Sequence, residues 1–391
     1  MNPQFHNKTF LEKHIKDTMS FYHPHCIDPN GGFFQLFKDD GTIFDHSTRH
    51  LVSSCRFVFT YSMYAQYFND DAYKNIAQHG IDFLRNVHRN ESTEGYAWVI
   101  KNREVADSTN YSYGLAFVLL SYATALKAGI ITAKAFIYET FDVMEEQFWE
   151  KDYGLYADEC DGDWEQLSPY RGQNANMHSC EAMIAAFEAT DDRMFLDKAY
   201  LIAENICVRQ AGQCDGLIWE HYDENWQVDW DYNKSDPKNL FRPWGFQPGH
   251  MTEWSKLLMI LNGYNDQKWL VDRATDLFDA ALEKAWDHEN KGISYGFASD
   301  GSICDGDKYF WVQAESFSAA AFLAQETKNP KYWDHYEKIW QFSWDHMIDH
   351  DYGAWYCKLD ANNQRYSDIK SPTGKTDYHT MGACYAVLSA I

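Results

Sequence analysis

Basic residues are scarce in this chain: 34 Lys and Arg stand against 58 Asp and Glu, a net charge of −24. A surface of that sign repels phosphate backbones and anionic head groups, which argues against nucleic-acid and membrane-surface roles. Nowhere do 18 apolar residues run uninterrupted, and the first eight residues lack the apolar stretch of a secretory leader. Neither a spanning helix nor export is therefore expected. The nine cysteines include no C-x-x-C pair and fall in apolar segments, the pattern of free thiols in a reducing cytoplasm rather than of a zinc site or disulfide framework. Neither G-x-G-x-x-G nor G-x-x-x-x-G-K-[ST] is present, so a nucleotide cofactor has no ready cradle.

What the chain has in abundance is apolar and aromatic material, 45% hydrophobic and 17% aromatic residues, ample for a large core. A Gly-plus-aromatic turn recurs six times: Asn30-Gly31-Gly32-Phe33-Phe34, Glu94-Gly95-Tyr96, Tyr153-Gly154-Leu155-Tyr156, Asp215-Gly216-Leu217, Lys291-Gly292-Ile293 and Tyr352-Gly353-Ala354-Trp355. Second turn signals at Asp40-Gly41 and Asp300-Gly301 mark short β-hairpins. Successive glycines of the six are spaced 59 to 76 residues apart, room for one helix pair and a loop. Each turn is followed by a helix rich in small and apolar residues, predicted over 51–67, 113–126, 177–189, 251–261, 317–324 and 381–391. Each is preceded by a charged amphipathic helix, predicted over 9–21, 73–87, 134–148, 195–208, 269–286 and 332–347. Helices apolar all round belong inside and those with one wet face outside. Six of each predict an all-α (α/α)6 barrel as one catalytic domain over 1–391, with short β-hairpins at the end where the inner helices begin. The longest irregular stretch, 228–249, carries Pro237, Pro243 and Pro248 and reads as an ordered loop over the ring mouth.

Ionisable groups at the start of an otherwise apolar helix call for a use. Arg49 opens the first inner helix, Tyr113 the second, Asn174 and His178 the third, His250 and Glu253 the fourth, Trp311 and Glu315 the fifth, and His379 the last. In a closed ring these starts converge on one mouth, so they predict a polar, aromatic-lined pocket. His250 follows Pro248-Gly249 and sits in a first helical turn, where the positive dipole end favours a neutral imidazole, as a general base requires. Glu253, three residues on, is expected to hold its tautomer. A lone helix-start histidine is more often a cap, and Glu253 also reads as a structural carboxylate. Three histidines at equivalent starts favour a shared site. Trp219-Glu220-His221 falls in a hairpin and reads equally as a strand end or a site contribution.

The strings Ser47-Thr48-Arg49-His50-Leu51-Val52, Arg171-Gly172-Gln173-Asn174-Ala175-Asn176-Met177-His178, Pro243-Trp244-Gly245-Phe246-Gln247-Pro248-Gly249-His250-Met251-Thr252-Glu253, Phe310-Trp311-Val312-Gln313-Ala314-Glu315 and Gly374-Lys375-Thr376-Asp377-Tyr378-His379 resemble the N-acylglucosamine 2-epimerase superfamily. The resemblance is nearest to its aldose–ketose isomerase branch. It implies the (α/α)6 barrel, His250 and His379 as the catalytic pair assisted by Glu253, and Arg49, Tyr113, Asn174 and His178 around a monosaccharide. Trp311 and Glu315 complete the expected sugar site. The string Tyr113-Gly114-Leu115-Ala116-Phe117 lacks the histidine that epimerases often carry after this glycine, which tilts away from N-acyl sugars.

The expected activity is a cofactor-independent isomerisation of a free aldohexose, mannose to fructose being the leading case and lyxose to xylulose a companion, through ring opening and a cis-enediol. Alternatives left open are sulfoquinovose isomerisation and 2-epimerisation on the same scaffold. Further readings are a metal site from His178, His250, Glu253 and His379, glycoside hydrolysis by Glu253 and Glu315, and a non-catalytic sugar-binding module. The expected partner is a small sugar, with no metal and no cofactor, and the outer helices offer surfaces for a homo-oligomer.

Overall fold

The computed structural model describes residues 3–239 and 241–391. Among them are twelve α-helices: α1 (Lys8–Tyr22), α2 (Leu51–Phe68), α3 (Asp71–Phe83), α4 (Ser112–Lys127), α5 (Ala133–Gln147), α6 (Gln173–Thr190), α7 (Arg193–Glu204), α8 (Pro248–Tyr264), α9 (Lys268–Ala285), α10 (Phe310–Thr327), α11 (Pro330–Phe342) and α12 (Tyr378–Ala390). The even-numbered helices pack side by side in chain order, and α12 returns against α2 to close the ring. Each odd-numbered helix lies outside its inner partner: α3 on α2, α5 on α4, α7 on α6, α9 on α8, α11 on α10 and α1 on α12. This is the expected (α/α)6 barrel.

The two layers differ as their sequences dictate. Helix α4 is buried almost continuously from Ser112 to Ala125, whereas α7 buries only the stripe Phe195, Leu196, Ala199, Ile202 and Ala203. Four outer helices open on a side-chain cap: Asn7, Asp70, Asp192 and Asn329 each accept a hydrogen bond from the backbone N–H two residues on. No inner helix has such a cap. Helices α6 and α10 begin at Gln173 and Phe310, earlier than their apolar runs suggest. Their first turns are helical too, with Gln173 and Gln313 buried.

The Gly turns do form, closed by short local pairs such as Arg89 with Tyr96, Trp149 with Tyr156 and Trp286 with Ile293. Gly292 takes φ +77°, and a Cβ there would lie 2.5 Å from the Phe342 ring. The two further turn signals also close hairpins, Leu36–Lys38 with Ile43–Asp45 and Gly296–Phe297 with Ile303–Asp305, and a second set of pairs joins neighbouring repeats. Thr48–His50 pairs with Val99–Lys101, Asn110–Tyr111 with Glu159–Cys160, and Arg171–Gly172 with His221–Tyr222. Phe246 then bridges Phe297, Lys308–Tyr309 pairs with Lys358–Leu359, and Ile369–Ser371 returns to Leu36–Lys38. A collar of antiparallel links thus circles the mouth and fixes where each inner helix begins.

No helix among the described residues is long and apolar enough to cross a membrane. All nine cysteines are free; seven are buried, while Cys304 and Cys357 are partly exposed.

Candidate active site

A cavity of about 580 Å³ opens at the collar end of the barrel. Seven of the nine residues singled out from the sequence line it: Tyr113, Asn174, His178, His250, Glu253, Trp311 and His379. The 228–247 segment lies over it, contributing Tyr232, Phe241 and Arg242 to the wall. It is fastened on both sides, by Arg242 to Glu159 at 2.6 Å and by Lys238 to Asp305 and Asp307 at 3.0 Å each.

His250 occupies the first turn of α8 beside the Trp311 ring, with centroids 5.0 Å apart. Gly249 permits this approach, for a Cβ there would stand 2.5 Å from the indole. His250 Nδ1 lies 2.9 Å from Glu220 Oε2. Trp254 Nε1 donates to Gln173 Oε1 at 2.7 Å, which turns the Gln173 amide so that Nε2 donates to the same Glu220 oxygen at 2.8 Å. The acceptor of His250 is therefore the carboxylate: Nδ1 carries the proton and Nε2 is left as the basic atom. The tautomer-holding role expected of Glu253 belongs to Glu220. It arrives through the strand pair Arg171–Gly172 with His221–Tyr222, where Gln173 N–H also donates to the Glu220 carbonyl.

His379, in the first turn of α12, is the second imidazole against Trp311, at 5.7 Å. Its Nδ1 donates to Glu315 Oε1 at 2.7 Å, and Glu315 also receives Lys256 Nζ. Arg56 Nη2 stands 3.3 Å from Nε2. Burial pushes the His379 pKa well below the ordinary histidine value, and the Arg56, His178 and Lys256 charges push the same way. At neutral pH the ring is an uncharged base with Nε2 as its lone-pair atom.

Glu253 lies between these groups. Neither carboxyl oxygen has a hydrogen-bond partner among the described residues, although the side chain is buried. Burial, reinforced by the nearby Glu315 charge, raises its pKa well above the ordinary carboxyl value, which favours the protonated form. His178 is held by Glu181 at 3.1 Å, its ring centre 6.3 Å from that of His379. The Asn174 Oδ1 is likewise unpartnered at the wall.

Two expectations are corrected. Arg49 does not line the cavity: its guanidinium binds Asp28 at 2.7 Å, the His46 and Thr48 carbonyls, and the face of Phe34. Arg56 does line it, with Arg242 and Lys375, and also donates to the Tyr113 hydroxyl at 3.2 Å. Glu315 lies behind His379, outside the sugar cavity. With Lys256, Glu181 and Tyr378 it borders a second hollow of about 790 Å³ at the opposite end of the barrel. Glu315 is thus a support held by Lys256 and His379, not a free carboxylate to pair with Glu253 in hydrolysis. His50, Arg56 and Glu220 were the residues missed; only the Trp219-Glu220-His221 string gave a signal.

The metal set expected from four residues is not assembled as one cluster. His178, Glu181 and Glu253 bring ligand atoms within 4.8 Å of one another, as do Glu253, Glu315 and His379, and His250 joins neither group. Arg56 and Lys256 place two cations beside these atoms, which disfavours a third.

The chain is 55% identical to a D-mannose isomerase of Marinomonas mediterranea over 390 residues, covering all of this chain and 99% of that one. It is 35% identical to a D-mannose isomerase of Thermobifida fusca over 73% of this chain and 71% of the relative. A crystal structure of a D-mannose isomerase, 55% identical, superposes over the full length of both chains with a TM-score of 0.99. The family model for N-acylglucosamine 2-epimerase (GlcNAc 2-epimerase) matches residues 32–383, and the chain belongs to that family.

Proposed function

We propose that this protein is an aldose–ketose isomerase that interconverts D-mannose and D-fructose, with residues 1–391 acting as one catalytic domain. The observation that carries the reading is the pair of oriented imidazoles, His250 and His379, packed on one indole in one sugar-sized cavity. Each has its Nδ1–H engaged by a buried carboxylate, and the Nε2 of His379 faces Arg56 Nη2 at 3.3 Å. The names of the relatives at 55% and 35% identity agree with this assignment.

In the proposed sequence His250 Nε2 takes the anomeric O1 proton and passes it to the ring oxygen as the C1–O5 bond breaks, so the pyranose opens to the aldehyde and His250 is neutral again. His379 Nε2 then removes the proton at C2, which the C1 carbonyl acidifies, and the electron pair forms the C1–C2 double bond of an enediolate. Arg56 beside Nε2 and His178 stabilise the charge that grows on O1. Protonated Glu253, with both oxygens free, gives a proton to O1 and takes one from O2. Imidazolium His379 returns its proton to C1, leaving the C2 carbonyl of the ketose. Proton count and charge balance across the cycle. Free thiols at all nine cysteines suit a reducing cytoplasm.

Turnover of D-mannose in D2O, followed by NMR, tests the reading. Deuterium at C1 of fructose supports isomerisation; deuterium at C2 of glucose instead makes the enzyme an epimerase. Replacing either His250 or His379 by Ala is expected to lower kcat/KM by about 10²–10⁴-fold, and a variant retaining a tenth of the activity refutes the assigned roles.

A further inference from the structure

His50 has no role in the chemistry above, yet it lines the same cavity. It is 5% exposed, and neither of its ring nitrogens has a hydrogen-bond partner among the described residues. Leaving a buried donor and acceptor both unpaired is costly, so an imidazole kept this way at a cavity wall points to a ligand that completes it.

Its backbone is held firmly. The His50 N–H donates to Gln35 Oε1 at 2.7 Å, and Gln35 Nε2 donates to the His50 carbonyl at 3.3 Å and to Ser54 Oγ at 2.9 Å. The ring packs edge-on against Trp98, with centroids 4.3 Å apart, and lies parallel to Phe241 of the covering segment at 6.3 Å. Two apolar aromatic neighbours thus fix the plane of the imidazole without using its nitrogens.

The position along the barrel identifies what meets it. His50 immediately precedes α2, and Arg56, six residues on, reaches His379. At 1.5 Å per residue the Arg56 backbone lies about 9 Å further from the mouth than that of His50. Burial holds its pKa down to about 3, with His88 and Arg56 adding to the effect, so the ring offers one donor and one acceptor, the pairing of a sugar hydroxyl rather than of an anion.

We infer that His50, walled by Trp98 and Phe241, is a specificity-determining residue that hydrogen-bonds a hydroxyl at the end of the monosaccharide remote from C1 and C2, the C4 or C6 hydroxyl. The inference rests on the isomerase reading for which end of the sugar lies inward.

The test compares wild type with His50→Leu on D-mannose, 4-deoxy-D-mannose and 6-deoxy-D-mannose. The variant is expected to lose about 10- to 100-fold in kcat/KM on D-mannose. On the one deoxy sugar that lacks the bonded hydroxyl the loss should shrink to less than about threefold, and His50→Gln should recover part of the D-mannose activity. An equal loss on all three sugars, or no loss, overturns the inference. The same comparison is read as calorimetric affinity for 1,5-anhydro-D-mannitol and its 4- and 6-deoxy forms, which keep the ring but cannot open. This separates failure of the hydroxyl contact from failure of the isomerase reading, because binding needs no turnover. Should His50→Leu not fold, His50→Ala carries the comparison.

Discussion

The link between Glu220 and His250 gives a quantitative prediction. The two side chains are buried, 2.9 Å apart, and Glu220 Oε2 also receives Gln173, whose orientation Trp254 sets. A hydrogen bond to a charged group contributes about 1.5–3 kcal/mol against about 1 kcal/mol for a neutral one. Glu220→Gln keeps an acceptor oxygen for Nδ1 but loses the charge that steadies the imidazolium, so about 1–2 kcal/mol of transition-state stabilisation disappears. At 1.36 kcal/mol per tenfold this is about a 5- to 30-fold drop in kcat/KM. Glu220→Ala removes the acceptor altogether, frees the ring to change tautomer, and should cost about 10- to 150-fold. Because Glu220 is not among the residues lining the cavity, the loss should fall on kcat and leave KM for D-mannose nearly unchanged. Steady-state kinetics beside a circular-dichroism melt would measure both. An Ala variant that folds and keeps more than half of the wild-type kcat, or one whose KM alone rises, refutes the reasoning.

Other consequences follow from the same geometry. Removing the Arg56 cation by Arg56→Met should raise the His379 pKa toward the ordinary value, since after burial Arg56 is the largest influence lowering it. The base works only when neutral, so the acid limb of the kcat/KM profile should move to higher pH and activity at pH 6 should fall more than at pH 8; an unmoved limb contradicts this. Arg49→Met leaves Asp28 charged and without its buried partner, and should destabilise folding by about 3–5 kcal/mol in denaturant titration with KM unaltered. Activity should survive exhaustive EDTA treatment, and loss reversed by added zinc or manganese would overturn the metal-free mechanism.

Much of this protein is legible in the chain alone. The 59- to 76-residue spacing of turn glycines and the alternation of apolar and amphipathic segments fix six helix pairs, because burial on all sides and burial on one stripe leave different residue patterns. The polar starts of the inner helices place seven of nine expected residues around one cavity. Their convergence follows from ring closure, which a count of six repeats favours over an open solenoid.

The identity of each partner was decided by the tertiary structure. Sequence proximity favoured Glu253 as the partner of His250, whereas strand pairing between repeats delivers Glu220 from 30 residues away. Arg49 and His50 stand next to each other on the strand Thr48–His50, and successive strand residues point to opposite faces. Arg49 therefore turns out to Asp28 while His50 turns in, and the cation beside His379 comes instead from Arg56 on the following helix. Local pattern carries the period of each element, but the face that a residue presents at a strand-to-helix junction depends on where one period gives way to the other. Only the collar of paired strands sets that point.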